Sequence, residues 1–129
     1  MKSISTWFFA TATVFALCGM IWGIQMSASH DYTFAPAHGH LNLIGFVAMS
    51  IFGTYYALTP EAAMSKVAMV HYWLVTITIL MLIPGIFLAI SEQKETLAII
   101  GSILAVISMA LFLFMVLRFG VGDQAKAEK

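Results

Sequence analysis

Apolar positions fall into four runs, at roughly 5–26, 36–58, 66–90 and 96–118, separated by short polar stretches at 27–35, 59–65 and 91–95. A bilayer core takes about 20 residues of helix, so each run is long enough to cross it. The pattern predicts an all-α membrane protein with four transmembrane helices in a single domain, 1–129. Local signals agree. Pro36 suits the first turn of the second helix, where a missing N–H costs nothing. Thr59–Ser65 reads as a turn, within which Pro60 and Glu61 favour the start of the next helix. Pro84-Gly85 predicts a kink in the third helix. Small residues recur where helices can approach closely: Gly19 and Gly23 in the first run, Gly45, Ala48 and Gly53 in the second, Gly101, Ala105 and Ser108 in the fourth.

Composition sharpens the class. The chain has 129 residues, 61% hydrophobic and 9% charged, with mean hydropathy +0.95; a soluble domain is nearer a quarter charged. Formal net charge is zero, so no basic face points to nucleic acid. Cys18 is the single cysteine and cannot form an intramolecular disulfide. The first run is too long for a signal-peptide core, and Gln25 and Met26 stand where small residues would precede cleavage. Leu17 before Cys18 argues against a lipoprotein site. The reading is an uncleaved first helix.

Charge also orients the chain. With both termini inside, Lys2, Lys66, Arg118, Lys126 and Lys129 are cytoplasmic and only Lys94 is outside. Five against one favours N-in, C-in in a bacterial-type inner membrane. The second helix then runs from outside to inside, with its head at the outer surface.

That head carries the candidate chemistry: Pro36-Ala37-His38-Gly39-His40-Leu41-Asn42. Residues two apart on a helix diverge by about 160°, so His38 and His40 face different neighbours and cannot easily share one ion from one straight helix. Ionisable residues within membrane segments are rare and usually functional, which makes His38 and His40 candidate metal ligands. Asn42, one turn inside, is placed to hydrogen-bond a neighbour or a cofactor edge. His71 lies near the cytoplasmic end of the third helix, on the order of 20 Å from the pair, and reads as a packed or interfacial residue beside Tyr72 and Trp73. His30 is loop. Met20 and Met26 lie at the pair's depth but read as apolar filler. Trp7, Trp22 and Trp73 read as interface anchors.

Ala37-His38-Gly39-His40-Leu41, followed by an apolar helix ending Phe52-Gly53-Thr54-Tyr55-Tyr56, resembles one helix of the heme-copper oxidase and nitric oxide reductase catalytic subunit. In that family a His-x-His near the outer face ligates two hemes from opposite sides of one helix. The family's core is three arcs of four helices, so the resemblance implies a ring-like homotrimer in which this chain is one arc. It implies b-type heme held by His38 and His40, with Asn42 nearby, and a role in electron transfer. No adjacent His-His pair is present, so it does not imply a copper site for oxygen reduction. Two other classes remain: a copper- or zinc-handling membrane protein using the same histidines, and a non-catalytic assembly or regulatory protein that binds nothing.

Overall fold

A computed structural model describes residues 2–127; Lys129, counted above, lies outside them. The described chain is all-helical. Four helices are long and apolar enough to cross a membrane: α1 (Ile4–Ser29), α2 (Ala35–Leu58), α3 (Lys66–Glu92) and α4 (Thr96–Phe119). Ser3 caps α1, its hydroxyl accepting from the Thr6 amide at 3.2 Å. Ser65 caps α3 in the same way through the Ala68 amide at 3.3 Å. A one-turn helix at Pro60–Ala63 fills the predicted α2–α3 turn. His30 and Gln93 close α1 and α3 in the left-handed conformation, φ 55° and 56°, a common way to end a helix.

The helices run alternately up and down. The Ser5 hydroxyl donates to the Gly53 carbonyl at 2.8 Å, and the Tyr55 hydroxyl reaches the Met115 and Gly120 carbonyls at 3.0 and 2.8 Å. The start of α1, the end of α2 and the end of α4 therefore share one face of the bundle. Lys2, Lys66, Arg118 and Lys126 gather at that end and Lys94 sits at the other. α1 packs along α2 and α3 packs along α4, with α1 and α4 on the flanks. The inner pair is the more buried: in an 18-residue apolar stretch of each helix, 39% of α2 and 33% of α3 is buried against 17% for each flank.

The α3–α4 hairpin depends on missing side chains. A Cβ on Gly85 would lie 2.6 Å from the Ala98 nitrogen, and one on Gly101 would lie 2.8 Å from the Leu82 Cα. α3 continues unbroken through Pro84. The main departure from expectation is in α2. Its head, Ala35–His40, is α-helical, but Leu41–Ala48 is π-helical before α geometry resumes at Met49–Leu58. Most of the apolar core lies in the half of the bundle that holds the termini, around Phe8, Phe52, Tyr55, Tyr56, Tyr72 and Met115.

Candidate functional site

The head of α2 is held by the turn that precedes it. Asp31 accepts from the Thr33 amide at 3.0 Å and from its hydroxyl at 2.5 Å. These two bonds hold its carboxyl below the usual carboxylate value. The Ala35 amide closes a turn onto Tyr32, and Phe34 stacks on Phe87 of α3 with centroids 4.1 Å apart. Pro36 takes the first turn. The head is thus fixed at both ends before the histidines begin.

His38 turns inward against α1. Its Nε2 lies 3.0 Å from the Gly19 carbonyl, which can only accept, so Nε2 carries the proton. Trp22 meets the ring edge-on at 6.1 Å. The Asn42 amide donates to the His38 carbonyl at 2.9 Å and sits 3.1 Å from Nε2. The two α1 glycines make room: a Cβ on Gly19 would run into the Asn42 amide, and one on Gly23 would stand 3.1 Å from His38 Nε2. The Gly19/Gly23 spacing therefore marks where α1 admits two polar side chains of α2.

His40 turns the other way and is exposed. Its Nδ1 lies 2.7 Å from the Pro36 carbonyl one turn back. That carbonyl again fixes the tautomer: Nδ1 is protonated and Nε2 bears the lone pair. An imidazole held through Nδ1–H by a backbone carbonyl, with Nε2 free, has the usual posture of a metal-ligating histidine. The two side chains diverge as the helical spacing requires: His38 is tied to α1 through Nε2–H, and His40 is exposed with its Nε2 lone pair unengaged. Directly after them the chain enters the π segment, where backbone bonding shifts from i−4 toward i−5, a change frequent at functional sites. In this register the Asn42 side chain supplies a donor to the His38 carbonyl. No sequence signal announced the π segment.

A second polar cluster lies in the half of the bundle that holds the termini. His71 is fully buried, 0% exposed. Its Nδ1 is 2.9 Å from the Tyr56 hydroxyl. Phe8, Phe52, Tyr56 and Phe112 surround the ring at centroid distances of 4.6 to 5.9 Å. Nε2 has no hydrogen-bond partner. The sequence placed His71 beside Tyr72 and Trp73; the packing instead turns it to Tyr56 on α2. A usable signal was the i, i+4, i+7 face of His71, Val75 and Thr78, all buried. Phe52 and Tyr56 lie about four and five turns along α2 from His38, roughly 20 Å or more at 1.5 Å per residue, so the clusters are separate.

The remaining candidates scatter. Met20 is exposed and Met26 is buried, and His30 is an exposed helix end. Among the described residues no group of three or more His, Cys, Asp and Glu side chains converges as a metal site. Comparisons with protein-family models, curated proteins and solved structures return no match.

Proposed function

We propose that the chain is a heme b-binding membrane protein that works as a homo-oligomer in electron transfer. The observation that carries this reading is His40. Its Nδ1–H is tied to the Pro36 carbonyl at 2.7 Å, so its Nε2 lone pair faces away from its own protomer. Around it, Leu43, Phe46 and Val47 expose apolar surface from the same helix, the kind of wall a porphyrin needs. Bound there, heme b supplies a one-electron couple at iron.

One chain cannot supply both faces of that iron, because His38 and His40 diverge by about 160°. We therefore assign the second ligand to His38 of an adjacent copy, in the trimeric ring that the family resemblance implies. His40 fits this role as it stands. For ligation through Nε2, His38 gives up the Gly19 carbonyl, an exchange of one neutral hydrogen bond on the order of 1 kcal/mol. Asn42 and the π segment position the His38 backbone. We place the end bearing the termini in the cytoplasm of a bacterial-type inner membrane, since four of the five described cations collect there. His40 is then at the outer face.

Co-expression of His38→Ala and His40→Ala chains with different tags tests the shared site. Doubly tagged oligomers should regain low-spin heme that neither variant holds alone. A monomer that retains a full low-spin heme contradicts the shared site.

A further inference from the structure

Among the described residues the two ends of the bundle carry opposite charge. The end with the termini holds Lys2, Lys66, Arg118 and Lys126 against Glu61 and Asp123. The other end holds Lys94 against Asp31, Glu92 and Glu95. Lys94 and Lys126 are paired within the chain, to Glu92 at 2.8 Å and to Asp123 at 3.8 Å. Lys2 and Lys66 are exposed and have no ion-pair partner among the described residues.

At the end that holds those two lysines, α1 and α3 leave a cleft of about 360 Å³ lined by Trp7, Met69, Tyr72 and Trp73. Trp7, Met69 and Trp73 are each about half exposed, so the cleft opens sideways. At 100° per residue, Lys66, Met69 and Trp73 share one face of α3, with Lys66 nearest the start of the helix. Helical side chains lean toward the helix N-terminus, so Trp7, Met69 and Trp73 all lean toward the lysines' end. Tyr72 adds a hydroxyl, 2.7 Å from the hydroxyl of Thr11 on α1. That pair holds two protons and makes one hydrogen bond, so one O–H is left to donate.

We infer that this cleft is a binding site for an anionic phospholipid. An acyl chain lies along Trp7, Met69 and Trp73, and the phosphate accepts from the Lys66 ammonium. Tyr72 is about 9 Å deeper than Lys66, at 1.5 Å per residue. That drop is close to the thickness of the headgroup region of one leaflet, roughly 5–8 Å, where a lipid's ester carbonyls begin. The spare hydroxyl proton of the Thr11–Tyr72 pair has its acceptor there. Tryptophan is at home at this level of a bilayer. The unpaired lysines set the headgroup, since basic pockets between membrane helices take anionic lipids.

Native mass spectrometry of the full-length protein tests this in detergent micelles carrying equal amounts of phosphatidylglycerol and phosphatidylcholine with the same acyl chains. The parent should retain phosphatidylglycerol in preference. Lys66→Gln should lower that preference about fivefold, the worth of one lysine at an anionic surface. Lys94→Gln, at the opposite end, should leave it unchanged. Trp73→Ala should lose the retained lipid whatever its headgroup, and the exposure of Trp73 lets the helix fold without it. Equal retention of the two lipids by the parent, or an undiminished preference in Lys66→Gln, would overturn the inference. So would Trp73→Ala oligomers that fall apart while lipid retention holds, because the occupant of the cleft would then be a second copy of the chain.

Discussion

The two histidine clusters differ in what their surroundings ask of an imidazole. At the head of α2, His40 is exposed, braced by its own Pro36 carbonyl, and has a free nitrogen turned outward. His71, at the other end, is fully buried in a box of aromatic rings and bonded to Tyr56. The first arrangement spends its hydrogen bond on orientation and leaves a ligand atom open. The second spends its contacts on packing. Side-chain type is the same in both; neighbours decide whether a histidine is poised to bind or built to hold helices together.

The largest effect expected from breaking this contrast is at His71. His71→Ala should empty the aromatic box, strand the Tyr56 hydroxyl and cost on the order of 3 kcal/mol, read from the midpoint of detergent-induced unfolding. Its heme spectrum should be unchanged in whatever protein remains folded. A stable His71→Ala protein with an altered spectrum would erase the distinction between the clusters.

Next comes the glycine seam. Gly19→Val should push α1 off the Asn42 amide and the His38 ring, with an overpacking cost of about 2 kcal/mol. The same substitution at Gly39, which has open space around it, should cost much less and serves as the control. Equal losses at the two positions would show that the α1–α2 fit at Gly19 is not special.

A smaller effect separates the two members of the motif. His38→Ala removes the bond to Gly19, worth about 1 kcal/mol, and should lower stability measurably. His40→Ala should leave stability within about 0.5 kcal/mol, as for a surface position. Reversed stability effects would reverse the assignment of inward and outward roles.

The smallest effect is pH-dependent. Thr33 holds the Asp31 carboxyl below its usual 3.8. A carboxyl lowered in the folded state stabilises above its unfolded pKa, and that contribution disappears as pH falls through the folded value. Asp31→Ala should therefore be less stable than the parent at pH 7, and the gap should close as pH falls below 3.8 and through the lowered folded value. A gap that widens on acidification would refute the turn's role.

Much of this was legible in the sequence, for physical reasons. Four runs near bilayer length sufficed for four helices, because lipid leaves the backbone few alternatives. Observed boundaries fall within three residues of those expected, the largest shift being at the end of α1, Ser29 rather than residue 26. The divergence of His38 and His40 followed from helix geometry alone. Which one turns inward did not, since that depends on where α1 is thin, and Gly19 and Gly23 could have faced any neighbour. The π segment at Leu41–Ala48 had no local signature; its apolar residues suit α and π geometry alike. His71 was legible as packed or interfacial from its depth, and it is packed; its partners were not legible, because Tyr56, Phe8 and Phe112 lie on three other helices.

The central claim is that the outward His40, and not the buried His71, holds the cofactor. The visible absorption spectrum of the purified protein, oxidised and then reduced with dithionite, tests it directly when recorded for the parent, His40→Ala and His71→Ala. The account predicts a low-spin b-type heme spectrum in the parent, its loss or conversion to high spin in His40→Ala, and an unchanged band position in His71→Ala. A colourless parent that takes up no added hemin, or an unaltered low-spin spectrum in His40→Ala, would contradict it.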